Sequence, residues 1–309
     1  MAEKSQGQQQ ASTKSGVSSN QLTEDTPQRD TRSFRSRAWR RLKASLSAKI
    51  GVTLVSIMIL MAITAPIVSP HDPLLFHGQY QLMEPNSYFP FGTDQYGRDV
   101  LSRVIYGSQI SIQVGLISVA IALTIGGTLG LFAGYFGGWI DSVISRIFDV
   151  IFAFPVILLA IVVLAVLGPS LTNVMIAIGI VFIPQFGRIV RGPVLSAKNN
   201  EYVEASRVMG AHWPRVMFIH VLPNVAAPLI VQSTIAISLA ILSEAALSFL
   251  GLGAQPPQPA WGSMLSSGRQ FIEVASWLSI FPGLAIVLAV LGFNLLGDYL
   301  RDVLDPRIG

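Results

Sequence analysis

The sequence predicts an all-α integral membrane protein with six transmembrane helices. Three observations predict it. Of the 309 residues, 51% are hydrophobic and only 12% are charged, against about 25% charged in a soluble domain. The apolar residues gather into runs of roughly 20, the length that crosses a bilayer core. Lysine and arginine are spread unevenly over the segments between those runs. The chain has no cysteine, which excludes disulfides, thiolate metal sites and thiol nucleophiles.

Residues 1–32 are rich in Gln, Ser, Thr and Lys and read as a disordered tail. Residues 33–49, "SFRSRAWRRLKASLSAK", are strongly basic, and Trp39, Leu42 and Leu46 recur at helical spacing. That pattern predicts a short amphipathic helix on an anionic membrane surface, with a solvated basic linker as the alternative. Spans follow at about 50–69, 108–133, 149–168, 171–190, 225–249 and 277–297. The hydrophilic stretch before the first is too long for a signal-peptide n-region, so this span reads as a retained anchor. The last five spans make one core domain, 108–300.

Orientation follows from the basic residues. With the N-terminus in the cytoplasm, 18 of the 21 lysines and arginines fall inside, leaving Arg98, Arg103 and Arg269 outside. Both termini, the tail 301–309 included, are then cytoplasmic, and segments 70–107 and 250–276 are extracytoplasmic. The pI near 9.5 is a topology signal, and no nucleic-acid partner is expected.

Within the spans, Gly126, Gly130, Gly134 and Gly138 recur every fourth residue. They form a helix face without side chains, on which another helix can pack closely. Pro155 and Pro184 predict kinks, either plain structure or the wall of a cavity. No carboxylate is clearly central, which argues against a proton- or sodium-driven carrier. Glu244 lies near the outer end of span five. It is a candidate pathway or gate residue, or a carboxylate bonded to a neighbouring helix end. The outer stretch 251–265, with Trp261, is either a mouth that meets a partner or a structural loop. No nucleotide-binding P-loop, H-E-x-x-H or G-x-S-x-G motif occurs. His71 and His77 lack a third ligand for a metal. No catalytic residue, cofactor or metal is expected, and the chain reads as non-enzymatic.

One polar stretch interrupts this lipid-adapted chain: "NEYVEASRVMGAHWPRVMFIHVLPN", residues 200–224. Residues Glu201 to Met209 suit a helix, with Glu201, Glu204 and Arg207 on one polar stripe. Gly210 stops it. Trp213 and Pro214 start a second helix that runs to Leu222, and Pro223 leads into span five. Two short helices joined at a glycine make a stiff cytoplasmic projection, suited to a groove on a soluble partner.

Glu204, Ala205 and Ser206, then Gly210, then Leu222 and Pro223, resemble the E-A-A…G…L-P motif of the membrane subunits of bacterial ABC importers. Ser206 stands for the usual second alanine, and His220 where many members have isoleucine. The stretches "FGTDQYGRDVLSRVIYGSQISI" (91–112), "LSFLGLGAQPPQPAWGSML" (247–265) and "GDYLRDVLDPR" (297–307) resemble the second permease subunit of di- and oligopeptide importers. Nickel, glutathione and opine importers share them. The resemblance spans about residues 38 to 307 and implies the binding-protein-dependent permease fold. It implies that segment 200–223 is the coupling helix, with Glu201, Glu204, Ala205, Ser206, Gly210, Leu222 and Pro223 at the ATPase. The implied partners are a second homologous permease subunit, two ATP-binding subunits and an extracytoplasmic substrate-binding protein, all at a bacterial cytoplasmic membrane. Two readings from other classes are a stand-alone secondary carrier or channel, and a membrane scaffold without transport.

Overall fold

The structure, a computed structural model, describes residues 42–43 and 45–304. The tail 1–32, most of the basic segment 33–49 and residues 305–309 lie outside the described residues. Among the described residues the chain is helical, with a single isolated bridge between Thr93 and Asp99.

Helix α1 (Leu46–Val68) starts earlier than the predicted anchor, because the Ser45 side chain caps it by accepting from the Ala48 N–H at 3.3 Å. Helix α2 (Val100–Phe136) likewise begins well before the predicted residue 108. The Asp99 carboxylate there accepts from the amides of Leu101 and Ser102, and this cap brings Arg103 onto the helix. A π-helical turn at Ala122–Gly126 interrupts α2 without ending it.

The expected straight third span, 149–168, is replaced by two helices. Helix α3 (Gly138–Phe152) and α4 (Val156–Leu167) meet at 93° across the break at Ala153–Pro155. Pro155 cannot donate a helix hydrogen bond, and its ring clashes with a carbonyl one turn back. The backbone is extended there (ψ 135°). Twelve residues of α4 cover about 18 Å, short of a core of about 30 Å. Five helices are therefore long and apolar enough to cross a bilayer, or six if this bent pair counts as one.

Helix α5 (Leu171–Ala197) is the most buried span. Val174, Ile178, Phe182, Phe186, Val190 and Val194 line its inward side at helical spacing. Pro184 and Pro193 sit inside this helix. Helix α5 packs on α2, whose glycines let the backbones meet: a Cβ on Gly126 would collide with the Ile183 carbonyl, and one on Gly130 with Gly187. Gly134 faces Val194. Gly138 does not share this face. With φ +55° and open space around it, it turns the chain into α3.

Helix α3 crosses α5 and is clamped to it. Arg191 donates twice to Asp141, at 2.5 and 2.6 Å, and Arg188 donates to Asp149 at 2.5 Å. Between them the buried Phe148 ring fills the notch over Gly187.

Two short helices follow. Helix α6 (Glu201–Val208) ends at a glycine, and α7 (Trp213–Arg215) continues through π and 3-10 turns to Asn224. Helix α8 (Ala226–Phe249), the short α9 (Trp261–Gly268) and α10 (Trp277–Leu304) complete the fold. Helix α10 packs against α8 and α1, and it runs through residues 301–304, which the sequence suggests as a tail. One buried apolar cluster fills the centre of the bundle. A second, with Leu131, Val190, Val194, Val203, Val216, Met217 and Val221, lies under α6 and α7.

Candidate functional site

Helix α6 is held by few residues and offers many. Val203 is fully buried and Ser206 nearly so. These two positions pin the helix onto the second apolar cluster. The rest of it, Glu201, Tyr202, Glu204, Ala205 and Arg207, faces outward, and Val208 and Met209 are 87% and 82% exposed. Glu201 and Glu204 lie in the first turn, where the helix dipole favours negative charge.

The helix stops as the glycine demands. The Met209 amide donates to the Ala205 carbonyl, and the Ala211 amide reaches back to the Ser206 carbonyl at 3.1 Å. That closure holds Gly210 at φ +84°, a conformation that side chains disfavour. Beyond it, Leu222 is half-buried and Pro223 exposed.

Sequence reasoning missed what this segment rests on. The Trp213 ring packs edge-on against Phe132 (6.0 Å) and Phe136 (5.4 Å) of α2. The Arg207 guanidinium lies over Tyr135, 5.2 Å from the ring centre. Lys198 donates to the Gly134 carbonyl at 2.9 Å, tying the end of α5 to the end of α2. The aromatic group in "GLFAGYF" (130–136) was the available signal, since rings at a helix end seek a partner with both an apolar face and a polar edge. The segment, α2 and α5 thus form one connected body.

The two residues read as either a mouth or gate or a structural role, Trp261 and Glu244, are both buried. Trp261 is 1% exposed. Its indole N–H donates to the Val104 carbonyl at 2.9 Å, and its ring lies on Gly107. It anchors the start of α9 to α2. Glu244 is fully buried. Ser248 donates to its Oε1 at 2.5 Å, while Oε2 has no partner among the described residues. The same Ser248 hydroxyl accepts from the Ala254 amide. Glu244 therefore supports the turn after α8 through Ser248.

The segment between α1 and α2 carries an ionic network. The buried Arg98 donates to Asp94 at 2.7 Å, and Arg103 donates to the Pro73 carbonyl at 3.0 Å. His71 lies 3.2 Å from Asp99 and is packed against Tyr88 and Phe89. No group of three or more metal-ligating side chains occurs among the described residues.

Comparison with known proteins places this geometry. Residues 126–309 match the family model for the binding-protein-dependent transport system inner membrane component. Residues 33–87 match the N-terminal TM domain of oligopeptide transport permease C. The chain is 48% identical to a dipeptide transport system permease protein of Alkalihalophilus pseudofirmus, over 88% of this chain and 89% of that protein. It is also 48% identical to the dipeptide transport system permease protein of Escherichia coli K12, covering 87% of this chain and 92% of that one. Among solved structures, it is similar to a chain of the inward-facing MetNI methionine ABC transporter. The TM-score is 0.53 at 19% identity, covering 65% of this chain and 96% of the other, a likeness of fold alone.

Proposed function

We propose that this chain, which belongs to the family of binding-protein-dependent transport system inner membrane components, is one permease subunit of an ATP-driven importer of di- and oligopeptides. Its relatives named for dipeptide transport support the cargo class. It hydrolyses nothing itself. It pairs with a second, homologous permease, and two ATP-binding subunits dock from the cytoplasm. A substrate-binding protein delivers cargo from the other side. The N- and C-termini are cytoplasmic, which puts α6 on the ATPase side.

The observation that carries the reading is the construction of α6. Two buried positions hold it, and an exposed apolar tip, Val208–Met209, extends from it beside Glu201, Glu204 and Arg207. Burying one such apolar side chain in a groove stabilises an interface by roughly 1.5–3 kcal/mol. The aromatic and Lys198 contacts to α2 and α5 make a lever of the segment. Movement of an ATPase is transmitted to the spans because the joint does not bend. ATP binding shifts the population from an inward- to an outward-open pathway, and near-complete switching takes about 5.5 kcal/mol of difference between the states.

The test replaces the tip. Val208→Asp with Met209→Asp, in the assembled complex, is expected to reduce peptide uptake at least tenfold and release the ATPase subunits on purification. Unchanged uptake with the ATPase retained would overturn the assignment of α6.

A further inference from the structure

A small cavity of about 20 Å³ lies where the segment before α2 meets α9 and the start of α10. Asp94, Arg98 and Arg103 line one side, with Met264 and Ser267 of α9 and Leu278 of α10 on the other. About 10–15 Å³ is enough to hold one water, so the space takes a single atom-sized guest.

The charges around it do not balance. Arg98 is 7% exposed, Arg103 5% and Asp94 6%. Arg98 Nε donates to Asp94 Oδ2 at 2.7 Å, and Arg103 Nε lies 3.8 Å from the same oxygen. Among the described residues no other carboxylate comes within ion-pair distance of either arginine. Asp99 is engaged instead by His71, by the Ser102 hydroxyl and by the cap of α2. Arginine stays charged in proteins. Two buried guanidiniums against one carboxylate therefore leave one positive charge over, and an uncompensated buried charge is strongly destabilising.

Hydrogen-bond donors are in surplus as well. A guanidinium carries five N–H groups. Arg98 makes its one side-chain hydrogen bond to Asp94, and it lies over the rings of Phe76 and Tyr96. Arg103 donates through Nη1 alone, to the Pro73 and Pro257 carbonyls at 3.0 and 3.5 Å. Both Nη atoms of Arg98 and Nη2 of Arg103 have no acceptor among the described residues. The Asp94 oxygens are already engaged, Oδ1 by the amides of Tyr96 and Arg98 and Oδ2 by Arg98 Nε.

We propose that this cavity is a site for one monatomic anion, chloride, where both arginines form the wall. Such an ion accepts hydrogen bonds and gives none, so it meets the open N–H groups, and its charge cancels the surplus. Phosphate, sulfate and a free carboxylic acid are too large for the space. A water fits but brings no charge. The ion would join the segment before α2 to α9 and α10, and it would do so whatever cargo the transporter carries.

The test is thermal unfolding of the complex that co-purifies with this chain, in detergent at fixed ionic strength, with gluconate exchanged stepwise for chloride or bromide. Gluconate is too large to enter. A ligand that binds only the folded state raises the midpoint with its concentration. The parent is expected to gain about 2–4 °C in either halide, along a curve that saturates as a binding site does. Ser267 lines the cavity and is otherwise exposed. Ser267→Leu is therefore expected to fill the space, keep the fold and erase the halide response. Arg103→Gln removes the surplus charge and is expected to erase it too; if that variant does not fold, Ser267→Leu decides alone. A parent midpoint indifferent to halide, or a response that survives in Ser267→Leu, would overturn the site.

Discussion

The two ends of the molecule are built on opposite rules. At the end built from the α1–α2 segment and the loop before α9, buried polar groups find partners within the chain: Arg98 on Asp94, Arg103 on the Pro73 carbonyl, Ser248 on Glu244, Trp261 on Val104, with one Glu244 oxygen left over. At the α6 end the buried groups are apolar apart from Ser206, and what remains outside, Glu201, Glu204, Val208 and Met209, has little to do with holding the chain together. One end stabilises itself, and the other presents a surface. Substitutions should therefore divide into those that cost stability and those that cost transport.

The largest stability loss belongs to the end with the buried polar groups. Trp261→Ala removes a fully buried ring and its hydrogen bond and is expected to cost about 3–5 kcal/mol, read as a lowered midpoint of thermal unfolding in detergent. Arg98→Ala removes the hydrogen-bonded partner of the buried Asp94 and leaves it Arg103 at 3.8 Å and the amides of residues 96 and 98. The expected loss is about 1.5–3 kcal/mol, the worth of a hydrogen bond to a charged group, because Arg103 still compensates the Asp94 charge. At the α2–α5 contact, Gly134→Ala sets a methyl against Val194 and the Arg191 carbonyl. Overpacking of this kind costs about 1–3 kcal/mol, a smaller shift in the same assay. Met209→Ala stands at the far end of the series. As a surface change it should move stability by no more than about 0.5 kcal/mol, yet reduce peptide uptake several-fold. A Met209 variant that unfolds, or a Trp261 variant as stable as the parent, would erase the contrast.

Much of this was legible in the sequence, for a local reason. The stop at Gly210, the restart at Trp213–Pro214 and the packing face at Gly126, Gly130 and Gly134 are each written within a few residues, because helix ends and helix faces are local features. The early start of α2 was also local, in the Asp99 cap, but hydropathy looks past a capped polar turn. The sharp bend at Pro155 was foreseen only as a kink. The clamp that holds α3 across α5 is made by Arg191 with Asp141 and Arg188 with Asp149, 50 and 39 residues apart, and no window of sequence contains both partners. Trp261 stayed between two readings because an aromatic in a Gly/Pro-rich loop reads the same whether it faces a partner or inserts into its own core. Its acceptor on Val104 lies 157 residues away.

The most direct test is ATP hydrolysis by the complete complex in lipid discs, with binding protein supplied empty or peptide-loaded, for the parent and for Glu204→Lys. The expected result is stimulation by the loaded form in the parent, and hydrolysis indifferent to loading in the variant, with the chain still inserted. Hydrolysis in the parent that ignores the binding protein, together with peptide flux through the isolated chain driven by an ion gradient, would contradict it.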